Sequence, residues 1–111
     1  MPRRYRTYTP EELTIWIRAM IAHGDTRCHG FYISHAWLHI RADVIREHKK
    51  DGCVLCKAKG SYAPATMVHH IKTVRAAPWL ALTKSNLMPL CDDCHYDIHH
   101  PHKPQWDDER W

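Results

Sequence analysis

Two cysteine pairs constrain this chain more than any other feature. Cys53-Val54-Leu55-Cys56 and Cys91-Asp92-Asp93-Cys94 each have C-x-x-C spacing, with residues 57–90 between them. A C-x-x-C turn presents two thiolates side by side, and two such turns complete a closed tetrahedral site for structural zinc. The gap is longer than in a simple zinc ribbon, so a folded segment has to fit inside it. A thioredoxin-like redox pair would need strand-helix repeats around it, which the flanks lack. Disulfides are also disfavoured, because the cysteines number five and no secretory-type apolar run precedes them. Leu13 to Ala22 is the apolar run near the start, and Arg18 interrupts it. No run is long enough to cross a membrane. The expectation is therefore no membrane partner and a reduced, cytoplasmic compartment in which thiols bind metal.

Histidine is the second anomaly. The chain has eleven, and seven of them fall at or beyond His48, where the cysteine pairs also fall. His95 and His99 are four apart in a stretch that reads as a helix, so their side chains share one face and could grip one ion. His69 and His70 are neighbours in a stretch that reads as a strand, and strand neighbours point to opposite faces. One of them can therefore be a ligand while the other is free to act as a base, a split that suits metal-assisted hydrolysis. The formal net charge of +4, with the histidines neutral, favours a polyanionic partner.

The 111 residues suffice for one domain with a modest core. Residues 1–8 interleave Arg3, Arg4 and Arg6 with Tyr5 and Tyr8, a pattern suited to an arm laid along phosphates or simply to a solvated terminus. Thr9-Pro10-Glu11-Glu12 has the form of a capping box with proline at the first helical position. Leu13, Trp16, Ile17, Met20 and Ile21 then give one apolar helical face up to about Ala22, closed by His23-Gly24. Cys28 has no partner at ligand spacing and reads as a spare thiol. A second helix follows Ser34 as N-cap, with Trp37, Ile40 or Arg41, Val44, Ile45 and His48 inward. Its basic residues Arg41, Arg46, Lys49 and Lys50 are either a solvated face or phosphate contacts. Asp51-Gly52 is a turn into the first cysteine pair, and Gly60 closes it. Short strands are expected at Thr66–Ile71, with Met67, Val68 and Ile71 as apolar members, and at Asn86–Leu90. The loop between them should be pinned by Trp79, Leu80 and Leu82. The last cysteine pair starts a helix that Pro101 stops, and the tail is polar.

Taken together, Cys53-x-x-Cys56, Val68-His69-His70-Ile71, Ser85-Asn86-Leu87, Leu90-Cys91-x-x-Cys94-His95 and His99 resemble the HNH endonucleases. Phe31-Tyr32-Ile33-Ser34 through Ala36-Trp37 and Arg41 is similar to the small phage members encoded near terminase genes. The resemblance covers roughly Phe31 to His99 and implies an α+β fold: a ββα-metal finger with a four-cysteine structural zinc site, preceded by two helices. It divides the chain into a basic arm and amphipathic helix (1–30), an HNH nuclease domain (31–100) and a polar C-terminal tail (101–111).

Carried over by residue, the resemblance makes His70 the general base. Asn86 becomes the asparagine that hydrogen-bonds the backbone of the base, and His69, His95 and His99 become the ligands of a catalytic divalent metal. Many zinc-clamped members have Asp where His69 stands. The nitrogen-rich set here favours Zn, Ni, Co or Mn over Mg. His100 and His102 read as surface residues or phosphate contacts. The implied function is a metal-dependent DNA endonuclease or nickase that leaves 5′-phosphate and 3′-hydroxyl ends on double-stranded DNA. It would be phage-encoded, act in the bacterial host cytoplasm and be linked to terminase and genome packaging. The rivals are a non-catalytic zinc module that binds DNA or protein, RNA cleavage by the same site, and an HNH nuclease of restriction or homing.

Overall fold

The computed structural model describes residues 7–100. Arg3, Arg4, Tyr5 and Arg6 of the expected arm, the expected helix stop at Pro101, His102 and the tail lie outside the described residues.

Helix α1 (Pro10–Ala22) begins where its sequence predicts. The Glu12 N–H donates to Thr9 Oγ1 at 3.1 Å, and the Thr9 N–H donates to the Glu12 carboxylate at 2.9 Å. Two otherwise unpaired N–H groups of the first turn are thus satisfied. Leu13 and Ile17 are buried, while Trp16, Met20 and Ile21 pack at the edge of the same core. Tyr8 stacks on Trp16 with ring centroids 4.7 Å apart, which ties the entering chain to the helix.

The next element is not in the sequence expectation. Residues His29–Tyr32 form a one-turn helix, α2, entered through Cys28 in the left-handed region at φ 57°. The carboxylate of Asp25 explains it: one oxygen accepts from the His29 N–H and the other from the Gly30 N–H. These bonds, the Gly30 bond first, hold the Asp25 carboxyl below its ordinary value. The turn drives Phe31 into the centre of the protein, where it is fully buried. Ser34 then caps α3 (His35–Glu47) by accepting from the Trp37 N–H. Trp37 and Val44 are its buried residues along the expected stripe, and Ala36 is buried with them.

Strands β1 (Met67–His70) and β2 (Leu87–Leu90) pair antiparallel, with His69 opposite Met88 and His70 opposite Leu87. Both are shorter than expected. Ile71 lies past the end of the ladder and is 56% exposed, so it is not a core member. Asn86 ends a 3-10 turn, Lys84–Asn86, instead of opening β2. The connection between the strands contains a second 3-10 turn, Pro78–Leu80. It is held by the buried small residues Val74, Ala77, Pro78 and Ala81, and α1 packs against it. Trp79 turns outward, because a tight turn built on proline and alanines leaves no room for an indole beneath it.

Helix α4 (Val54–Ala58) carries the first cysteine pair and α5 (Asp92–His99) the second. Their sulfurs lie in a small core of their own around Leu90, apart from the larger core of α1, α2, α3 and the sheet. Gly52 sets the entry to α4 at φ +67°, and a Cβ there would lie 2.2 Å from the backbone oxygen of Ala63. That oxygen accepts from the Cys53 N–H. Gly52→Ala is therefore expected to lower stability by about 2–4 kcal/mol, combining left-handed strain with the clash. Urea unfolding of the zinc-loaded protein would measure it, and a change below about 1 kcal/mol would contradict this view of the turn.

Candidate metal centres and the cleft between them

Four sulfurs meet where α4 and α5 begin. Cys53 and Cys91 are the N-caps of those helices, and each Sγ accepts from the N–H three residues on, at 3.5 Å. The Cys56 sulfur lies 3.8 Å from that of Cys91 and 3.6 Å from that of Cys94. A disulfide would need about 2.05 Å. Four thiolates on one tetrahedral zinc with bonds of about 2.3 Å stand about 3.8 Å apart, and the sulfurs of Cys53, Cys56, Cys91 and Cys94 all lie within 4.8 Å of one another, a group that could hold that ion. The charge distribution agrees. Burial opposes a Cys53 thiolate, yet N–H groups of Cys91 and Cys56 and the neighbouring thiols lower it to about 6. Burial, and then the adjacent sulfurs, push Cys94 up. Four thiolates held this close need a dication to offset their mutual repulsion.

The imidazoles of His69, His95 and His99 form a second group, with one ring nitrogen of each within 4.8 Å of the others. His95 Nε2 and His99 Nε2 are 3.1 Å apart. Two nitrogens bound to one ion at about 2.0–2.1 Å stand roughly 2.8–3.4 Å apart for angles between 90° and tetrahedral, so the pair fits a shared ion. Helical spacing brings His95 and His99 together, and the pleat of β1 directs His69 toward them. Burial lowers the pKa of both His69 and His95, with the neighbouring histidines adding to it. Burial thus favours neutral imidazole, the form that binds metal, at His69 and His95.

The same pleat sends His70 the other way. It is not part of the three-histidine group, is 6% exposed, and stacks on Trp37 with centroids 4.8 Å apart and planes at 30°. Phe31 and Tyr32 meet it edge-on. Its Nε2 lies 2.9 Å from the carbonyl oxygen of Ala81. A carbonyl can only accept, so Nε2 carries the proton and Nδ1 keeps the free lone pair. Burial lowers the pKa of this ring, and the Ala81 bond opposes the shift in part.

Asn86 acts differently from what the resemblance implies. Its side-chain oxygen accepts from the Lys72 N–H at 2.8 Å and its amide donates to the Lys72 carbonyl at 3.0 Å. It thus grips the backbone two residues beyond His70, while Ala81 holds the ring of His70. The reason is that β1 ends at His70, and the first turn after it presents both polar groups of Lys72 to the buried amide.

A cavity of about 300 Å³ joins the two histidine environments, with His69, His95 and His99 on one side and His70 with Trp37 on another. Arg41, Tyr32 and Thr73 also line it; of these the sequence offers only Arg41, as one of several basic residues of α3 that could contact phosphate. Only Trp37-x-x-x-Arg41 on one helical face could have pointed there. His100 lies outside this cavity, with its ring stacked on Tyr96.

Residues 53–101 match the HNH endonuclease family. Among solved structures, the chain is similar to an HNH endonuclease of the deep-sea thermophilic bacteriophage GVE2, determined with a manganese ion. The TM-score is 0.65 at 22% identity over 85% of this chain and 96% of that one. Among curated sequences it is 43% identical over 53 residues to a mitochondrial DNA mismatch repair protein, the mutS homolog of Sarcophyton glaucum. That match covers 44% of this chain and 5% of the relative, so the chain spans a small fraction of that protein's length.

Proposed function

We propose that this chain, whose residues 53–101 match the HNH endonuclease family, is a metal-dependent DNA endonuclease or nickase leaving 5′-phosphate and 3′-hydroxyl ends. One observation carries the reading: a three-histidine group that fits an ion and a separately held histidine with a free Nδ1 open onto one cleft. A divalent ion held by His69, His95 and His99 would supply Lewis-acid stabilisation of charge on the phosphate.

His70 supplies the proton acceptor. Its ring is fixed by the Ala81 carbonyl and the Trp37 face, and Nδ1 takes a proton from a water as that water's oxygen bonds to phosphorus. The bond from phosphorus to the 3′ oxygen breaks, and the departing oxygen takes up a proton from solvent. Asn86 is a positioning residue that holds the loop after β1 through Lys72. Cys53, Cys56, Cys91 and Cys94 hold a structural zinc that braces the finger. For the working ion, the nitrogen-rich set favours Zn, Ni, Co or Mn over Mg.

Three further parts of the reading rest on the sequence resemblance and on a phage protein among the structural neighbours. They are the division into an arm with its helix (1–30), a nuclease domain (31–100) and a tail (101–111), a role beside phage terminase in genome packaging, and action in the host cytoplasm. No helix among the described residues is long and apolar enough to cross a membrane.

A supercoiled-plasmid assay tests the proposal. With zinc in the cysteine site, relaxed circles are expected on adding Mn, Co, Ni or Zn, with less or none on adding Mg. Intact plasmid under every ion, with folded protein still bound to DNA, would favour the non-catalytic zinc module.

A further inference from the structure

The sequence leaves Arg41 three places: the solvated face of α3, its inner stripe, or a group of basic residues in contact with phosphate. In the structure it is half-buried and forms part of the cleft wall. Its Nη2 donates to the Thr66 carbonyl at 2.9 Å, just before β1. The guanidinium has five N–H donors in a planar fork, and it forms no salt bridge among the described residues. Lys57, Lys84 and Arg46, by contrast, are each paired with a carboxylate. No other lysine or arginine lines this cleft among the described residues. The carbonyl anchor orients the fork without neutralising it.

We propose that Arg41 is a phosphate-binding residue of this cleft, donating from its free N–H groups to the non-bridging oxygens of the phosphodiester under attack. The inference rests on the nuclease reading. Its geometric basis is size: a cleft of about 300 Å³ is at the small end of ligand sites, which run from about 300 to 1,000 Å³. One phosphodiester unit inside it meets the histidine group and Arg41 together. Planar N–H forks match phosphate oxygens in pairs, which a lysine ammonium cannot reproduce. Arg41 thereby adds charge that strengthens as phosphorus gains its fifth oxygen.

The test uses full-length zinc-loaded protein, a supercoiled plasmid and a short fluorescent duplex. Arg41→Ala should keep its zinc and its melting temperature, and lose about a hundredfold in nicking, mostly in kcat. Arg41→Lys should recover only part of that. In a His70→Gln background without added catalytic metal, which keeps the duplex intact during the titration, Arg41→Ala should reduce the dependence of log Kd on log salt by about one. Free guanidinium ion should restore some nicking to Arg41→Ala and none to wild type. Unchanged nicking and salt slope in Arg41→Ala would overturn the assignment. So would a loss of activity that follows a drop in melting temperature and is not restored by lysine or guanidinium. The two readings fail separately. A wild type that never nicks, but binds duplex with an Arg41-dependent salt slope, would remove the nuclease reading and leave the phosphate contact standing.

Discussion

Chelation of zinc is expected to abolish cooperative folding of this chain, beyond any effect on activity. The small core around the sulfurs contains little else: Cys53, Leu90 and Cys94 are its buried members, with Leu55, Met88 and Ile98 partly buried around them. That apolar area is too small to hold α4 and α5 against the hairpin unaided. Structural zinc contributes on the order of 10 kcal/mol to the folding of small zinc peptides, comparable with the whole stability of a small domain. Cys94→Ser and Cys56→Ser should each release the metal and broaden or erase the thermal transition seen by circular dichroism. A chelated chain that melts at the temperature of the zinc-loaded one would show that the four sulfurs do no structural work. Loss should also reach the second centre, because α5 carries Cys94 near one end and His95 and His99 on the turns that follow.

His70→Ala is expected to lower nicking by about a hundredfold to ten-thousandfold, the usual contribution of a positioned base. Zinc stoichiometry should stay unchanged. Truncating a ring packed between Trp37, Phe31 and Tyr32 also leaves a void, so His70→Gln is the sharper variant. Its amide can still donate toward the Ala81 carbonyl, but it cannot take up a proton. Wild-type activity in His70→Gln would remove this residue from the chemistry.

The pH profile of wild type supplies a second check. Burial lowers the His70 pKa, so the ring remains a neutral base below the ordinary histidine value of about 6.5. Activity should be present above that value and fade only as pH falls through the depressed one. An acid limb well above pH 7, higher than the ordinary value, would contradict the buried base. The sign carries over to stability. A folded pKa below the unfolded one means that this group favours the fold at neutral pH and ceases to do so as acid protonates it.

Much of this arrangement is legible from residue order because the forces behind it are local. The Thr9–Glu12 box, the Ser34 cap and the C-x-x-C turns each close within four residues. The alternation of His69 and His70 needs only the pleat of a strand. What stays hidden depends on backbone atoms and on contacts between distant segments. The Ala81 carbonyl that holds His70 has no side-chain signature, and the one-turn helix α2 exists because Asp25 reaches forward to two N–H groups. Trp79 misleads because a large apolar residue in a loop suggests an anchor, whereas alanines and a proline make the tight packing there. Arg41 is ambiguous in a helical pattern, since a position on the border of the inner stripe faces either solvent or a cleft.

Pairing Met88 across from His69 and Leu87 across from His70 makes the hairpin a sorting device for two chemically identical rings. On the proposed reading, which imidazole would meet cation and which would meet water is decided by odd and even places along four residues, with nothing in either side chain to tell them apart. Sliding the strand by a single residue would exchange their faces. An insertion or deletion inside β1 should therefore silence the enzyme even when every histidine is still present.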